Sequence, residues 1–289
     1  VDVVINLMIN GLATGMLIFL LAVGLTLIFG LMDVLNFAHG GLFTWGAFTG
    51  VWITAQTGSF IIGMIGAIGV GLALGWLMER WIIQPVYQNH MQQILITLGV
   101  MLVLSEMIKV IWGPNQLSAQ PPDWLAGSWS LGDVILIKYR LFIILIGLLV
   151  LICAHLILTR TKLGLIVRAG VINKEMVQAL GINIRLVFMW VFMIGCALAA
   201  LGGVLMGSYA GVIYAEMGME YAILAFIVVI IGGMGSVSGS AIAAVIVGLS
   251  SAWMSYFLPE LSLAANMILM FIVLLLKPEG LFGAKGVKG

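Results

Sequence analysis

A run of thirteen residues, Phe29-Gly30-Leu31-Met32-Asp33-Val34-Leu35-Asn36-Phe37-Ala38-His39-Gly40-Gly41, sets an acid, an amide and an imidazole beside paired glycines between two long apolar stretches. Polar and ionisable groups at membrane depth are costly and face a protein interior or an aqueous cavity. Helices broken by exposed backbone mark solute sites in many transporters. These residue types offer hydrogen bonds rather than covalent chemistry. Asn36, Phe37, His39, Gly40 and Gly41 are therefore candidates to line a path for a polar solute. The competing reading is an interfacial turn in which Asn36 and His39 cap helix ends. A second break, Ile231-Gly232-Gly233-Met234-Gly235-Ser236-Val237-Ser238-Gly239-Ser240, lacks the Lys of a phosphate loop and sits in apolar surroundings, so a hinge or re-entrant turn fits it better. Gly232, Gly233 and Gly235 are counted with the candidate path.

The most informative polar stretch is 159–185. Arg160, Lys162, Arg168, Lys174 and Arg185 stand there against the single acid Glu175. Within it, Lys174 to Leu180 reads as a short amphipathic helix closed by a glycine cap at Gly181, preceded by Arg168-Ala169-Gly170. A basic loop with its own helix is able to dock on a soluble partner, and a solvated connector whose charges set topology is the alternative. Glu106 and Lys109 are three apart and expected to pair. Glu79-Arg80 reads as an interfacial ion pair, and Glu216 and Glu220 as part of a solvated loop. Cys153 and Cys196 lie in apolar runs, and His39, His90 and His155 stand far apart, so no metal site or disulfide is expected.

The elements that must hold these residues follow from composition. Only 8% of the 289 residues are charged and 63% are hydrophobic, which excludes both a water-soluble domain and a disordered chain. The net charge of +1 gives nucleic acid no basic footprint to bind. What remains is an all-α, polytopic membrane bundle, since the runs do not alternate as barrel strands do. At about 20 apolar residues per crossing, the candidate segments are 3–30, 40–56, 60–79, 93–112, 140–158, 186–210, 221–233, 240–257 and 262–276, so eight to ten elements are expected. Segments 40–56 and 221–233 are short and glycine-flanked, as half-helices would be.

Basic residues place 159–185 and the tail 277–289 in the cytoplasm. The stretch 113–139, acidic at Asp123 and Asp133 and rich in Pro and Trp, is placed outside as an irregular cap. Counting back puts 80–92 inside and, if 40–56 crosses the membrane, the N-terminus outside. The 37 glycines exceed what a lipid anchor needs. Gly195, Ala199, Gly203, Gly207 and Gly211 form a stripe for close helix packing, and Gly11/Gly15, Gly46/Gly50 and Gly71/Gly75 repeat the theme. The whole chain, 1–289, reads as one transmembrane domain.

Five motifs, in order, resemble those of the branched-chain amino-acid type ABC importer permeases. They are Gly24 to Gly30 with Asn36-Phe37-Ala38-His39-Gly40; Glu79-Arg80 with Pro85; Leu163-Gly164, Arg168-Ala169 and Ala179-Leu180-Gly181-Ile182; Gly232 to Ser236 with Gly239 and Gly248; and Lys277 to Gly283. The resemblance implies a vitamin-importer-like permease fold with discontinuous central helices in a bacterial or archaeal cytoplasmic (inner) membrane. It implies alternating access and no cofactor. The implied partners are a second homologous permease subunit, two cytoplasmic ABC ATPase subunits, and a periplasmic or lipid-anchored solute-binding protein, with the lipid bilayer around them. The ATPase-coupling residues it implies are Gly164, Arg168, Ala169, Lys174, Glu175, Ala179, Leu180 and Gly181. Gln84 and Gly170-Val171-Ile172 depart from the pattern. Importers of urea, short-chain amides and organic acids share most of these motifs. No P-loop occurs in this chain, so ATP hydrolysis would fall to separate subunits. The alternative of another class is a stand-alone secondary transporter or channel. It would need coupling-ion carboxylates, for which only Asp33 and Glu106 stand mid-chain.

Overall fold

Helix α1 (Asp2–Met32) is apolar on every face with no single stripe, and from Gly11 onward it is largely buried all round, while Val3, Val4 and Met8 in its first turns stay exposed. The computed structural model describes residues 2–87, 89–131 and 134–282; Gln88, Asp133, Gly283, Lys285 and Lys288 lie outside the described residues. Around α1 stand α2 (His39–Thr57), α3 (Phe60–Met78), α4 (His90–Trp112), α5 (Lys138–Arg160), α8 (Ile184–Ala210), α9 (Met217–Gly232), α10 (Val237–Phe257) and α11 (Ser262–Leu276). Two further helices, α6 (Lys162–Ile172) and α7 (Lys174–Ala179), fill the basic loop.

Seven of the described helices are long and apolar enough to cross a membrane, which makes this a multi-pass membrane protein. The other two apolar helices are the two short segments expected from sequence. At about 1.5 Å per residue, α9 with its 16 residues falls short of the ~30 Å hydrocarbon layer, while α2 with its 19 only just approaches it and is less apolar than the seven.

α8 is the hub. A Cβ on Gly71 of α3 would lie 2.8 Å from the Ala197 Cα, and one on Gly195 would lie 2.9 Å from the Gly24 oxygen of α1. One on Gly46 or Gly203 would overlap backbone across the α2–α8 contact. The glycine stripe nevertheless does not face one neighbour. Each four-residue step overshoots a turn by about 40°, so the stripe winds around the helix. Gly195 meets α1, Gly203 meets α2, Gly207 meets Ile213, and Gly211 instead closes the helix in the left-handed conformation (φ 79°). Gly11 and Gly15 let α1 approach α10, which also bonds it through Thr26 and Ser240 at 2.7 Å.

Two sets of contacts define the two ends. At one, β1 (Leu117–Ser118) pairs antiparallel with β4 (Val212–Ile213), Lys109 bridges Glu106 (2.8 Å) and Glu216 (2.7 Å), and Tyr209 bonds Asn10 of α1. The Lys109 ammonium holds the Glu216 carboxyl below the usual carboxylate range. Glu220 accepts from the Tyr214 hydroxyl at 2.7 Å. The first turns of α1 therefore share an end with 113–139. That stretch is more ordered than an irregular cap, because β2 (Ser128–Leu131) and β3 (Val134–Ile137) form a hairpin leading into α5.

The other end, here called the basic end, holds 162–183, the 233–236 turn and residues 277–282. Asp33 faces His90 there at 3.5 Å. Glu79 and Arg80 are not an ion pair: a π-helical turn, Glu79–Ile83, turns Glu79 inward, where the Tyr87 hydroxyl donates to it, while Arg80 stays exposed.

Candidate functional site

The His39 Nε2 lies 3.1 Å from the Leu21 carbonyl oxygen, eleven residues before the end of α1. At about 1.5 Å per residue, that is roughly 16 Å back from the basic end. Residues 33–38 cover this distance without forming a helix. α1 ends at the basic end, the chain turns at Asp33 (φ 57°), and it climbs to mid-depth, where α2 begins. Non-helical backbone at this depth persists only when protein encloses it or it lines a cavity.

Here α4 encloses it. The Phe37 amide donates to the Thr97 hydroxyl at 3.2 Å, and that hydroxyl donates to the Gln93 carbonyl at 2.7 Å. Gln93 Nε2 in turn donates to the Val86 and Tyr87 carbonyls, both at 3.1 Å. Trp45 Nε1 fixes the next turn on the Leu104 carbonyl at 3.0 Å, and Phe37 packs on Phe226 of α9 with ring centroids 4.8 Å apart.

The first turns of α2 and α9 touch. A Cβ on Gly40 or on Gly218 would run into the other's carbonyl oxygen, and one on Gly41 would lie 2.9 Å from Leu104. Neither helix start has a side-chain cap; α2 has no acid in its first turn and leaves the partial positive charge of a helix N-terminus at this crossing, whereas α9 has Glu216 and Glu220 at that end. Beside it, both amide atoms of Asn36 and the Nδ1 of His39 are buried without a hydrogen-bond partner. Such groups cost about 1–3 kcal/mol each when unsatisfied. The arrangement offers donors and acceptors to a polar solute and keeps them away from bulk water.

The structure brings Asn36, Phe37, His39, Gly40 and Gly41 together in this way. Gly232, Gly233 and Gly235 lie elsewhere, in a tight turn at the basic end. Gly233 (φ 96°) and Gly235 (φ 84°) take left-handed conformations, and Gly235 packs on Gly30. Beneath the turn, Leu281 and Phe282 amides donate to the Ile231 and Gly232 carbonyls at 2.8 and 3.1 Å, which gives the 277–282 segment a bracing role. The supporting pair Gln93 and Thr97 went unnoticed in the sequence. Its signal was two polar residues one turn apart in the otherwise apolar stretch 93–104.

The second cluster is the basic loop. The sequence reading had one short helix here; α6 is an additional one, capped by Thr161 on the Gly164 amide at 3.1 Å. Gly164 is needed because a Cβ would overlap the backbone of Ile157 and Leu158 at the tight corner from α5. Gly170 docks α6 on Leu31 at the end of α1, and Ala169 is half-buried on the same helix. In α7, Asn173 caps the Met176 amide at 2.9 Å, and Glu175 sits in the first turn, favourably placed for the helix dipole. Lys174 opens the helix. Gly181 (φ 79°) ends it in a Schellman arrangement, with its amide on the Gln178 carbonyl and that of Ile182 on the Val177 carbonyl. Among the described side chains of α7, Val177 alone turns inward. Arg168, Glu175, Met176, Ala179 and Leu180 are exposed, the last at 74%. Met176 and Leu180 thus leave apolar side chains uncovered at the basic end.

Against known proteins, the model of the family described as "Branched-chain amino acid transport system / permease component" matches residues 7–277. The chain is 29% identical to the "High-affinity branched-chain amino acid transport system permease protein LivH" of Escherichia coli (strain K12), covering 97% of this chain and 96% of that one. It is 28% identical to the corresponding protein BraD of Pseudomonas aeruginosa, with the same coverage. In fold it resembles the structure described as "PsaBC from Streptococcus pneumoniae in complex with Fab", at a TM-score of 0.51 and 13% identity over 92% of this chain and 89% of that one. With broken central helices, a buried polar crossing and a family match over nearly its full length, this chain belongs to the permease components of branched-chain amino acid transport systems.

Proposed function

We propose that this protein is the non-catalytic, membrane-spanning subunit of an ATP-driven, binding-protein-dependent importer for branched-chain or other neutral amino acids and related small solutes. The observation that carries the reading is the start of α2 at mid-depth beside the buried, unpartnered Asn36 and His39. In alternating access, α2 and α9 part at the Gly40–Gly218 contact, and the freed amide and imidazole bond the passing solute. The basic end faces the cytoplasm, and the membrane is the inner membrane of a bacterium or archaeon. There α6 and α7 dock on one of two ATPase subunits through Arg168, Met176 and Leu180, and α6 transmits its movement to α1 through Gly170 and Leu31. A second homologous permease completes the membrane part, and a solute-binding protein delivers substrate at the far end.

Deleting this chain is expected to abolish ATP-dependent leucine uptake at low substrate concentration, and re-expression to restore it. Uptake that persists without the chain contradicts the reading.

The coupling assignment has its own test. Arg168→Glu reverses an exposed charge on α6, and Gly181→Pro removes the amide that closes α7 and forbids its positive φ. Each is expected to lower substrate-stimulated ATP hydrolysis of the whole complex at least tenfold with the assembled bundle intact. Unchanged stimulation would place the coupling surface elsewhere.

A further inference from the structure

We infer that the groove between α5, α6 and α8 is a binding site for an anionic phospholipid, with an acyl chain in the groove and the headgroup at Arg160 and Lys162. The groove encloses about 470 Å³, within the roughly 300–1,000 Å³ of small-molecule sites. Ile157 and Leu158 form one wall, Leu163 and Val167 another, and Trp190 and Ile194 the third; every lining residue is apolar. The C-terminal part of α5 and the N-terminal part of α8 supply two of these walls, so the groove lies in the half of the bilayer at the basic end. At its corner α5 ends on Arg160 and α6 begins with Lys162. Both are exposed, and among the described residues no carboxylate pairs with either.

A protein partner is the poorer occupant. Helices in membranes pack through small residues on flush surfaces, and the glycine surfaces of α1, α2, α3 and α8 are already occupied within this bundle. This rim is Leu, Ile and Trp around a concavity. Basic residues beside an inter-helix pocket on the cytoplasmic side match the anionic lipids of that leaflet. The side of the membrane rests on the orientation proposed above; the groove and its basic corner do not. Because Leu163, Gly164 and Val167 line the site, its occupancy bears on how α6 packs against α5.

The test uses the purified full chain in phosphatidylcholine nanodiscs. It reads the quenching of Trp190, taken as the difference between wild type and Trp190→Phe, by lipids with brominated acyl chains. Brominated phosphatidylglycerol is expected to reach half-maximal quenching at a several-fold lower mole fraction than brominated phosphatidylcholine. The double variant Arg160→Gln, Lys162→Gln should close that gap. Ala154→Phe, which fills the groove without touching the basic pair, should close it as well. Equal mole-fraction dependence for the two lipids would reduce the groove to ordinary boundary contact. Absence of Trp190-dependent quenching by either lipid would mean that protein covers it, and either result overturns the proposal. These readouts do not depend on transport, so the proposal fails separately from the importer reading.

Discussion

Gly203→Val is expected to leave no monodisperse bundle after detergent extraction. A Cβ at this position would overlap the Phe43 carbonyl oxygen and lie 3.0 Å from the Ala47 amide nitrogen, so no side-chain rotation relieves it. Two helix backbones, α2 and α8, would have to separate. Overpacking typically costs about 1–3 kcal/mol, and more where it displaces backbone, so a loss of at least about 3 kcal/mol is expected here. The same helices meet at Gly46, Gly50, Ala200 and Val204, and they hold the start of the extended segment at its depth. Gly69→Ala and Gly99→Ala are the controls: nothing lies within 4 Å of a Cβ at either position. Both should fold normally and gain up to about 1 kcal/mol from helix propensity. The measurement is size-exclusion homogeneity and thermal unfolding of the four proteins side by side. A well-behaved Gly203→Val would show that the α2–α8 approach is looser than the structure has it.

That contrast shows how far the sequence could be read. The nine apolar runs, the shortness of 40–56 and 221–233, and the glycine cap at Gly181 were all legible, because each depends on local pattern or backbone conformation. Which glycine meets which helix was not. Gly203 and Gly211 look alike in a four-residue stripe, yet one is crushed between backbones and the other caps a helix. Helix α6 was missed because its 11 residues lie between charged residues that read as loop. Glu79 was paired with its sequence neighbour Arg80, whereas its partner Tyr87 depends on a π-helical turn with no clear signature in sequence. The polar residues at 33–41 stood out by chemistry, but their depth emerged only from the distance between His39 and Leu21. The support from Gln93 and Thr97 is a tertiary contact that spacing along the chain does not reveal.

Asn36→Leu is expected to separate stability from transport. Leu has nearly the same size and leaves no buried polar atom without a partner. Removing the orphaned amide should raise stability by about 1–2 kcal/mol, because nothing in the protein bonds it. Uptake of leucine by the assembled transporter should fall at least tenfold, since the solute loses a hydrogen-bonding group midway. An amide that capped a helix would behave in the opposite way: its loss would lower the melting temperature and leave uptake near normal. Thermal unfolding of the purified variant and radiolabelled leucine uptake in cells, measured on the same protein, distinguish the two. Near-normal uptake would make 33–41 a structural turn.

In the function proposed above, this chain provides a path and not the driving force. The direct measurement is purification of the tagged chain from its native membrane, followed by transport in proteoliposomes. Two ATPase subunits and a second permease are expected to co-purify, and leucine is expected to accumulate only with ATP and a binding protein. Leucine transport by this chain alone in liposomes, without ATPase subunits, would contradict it.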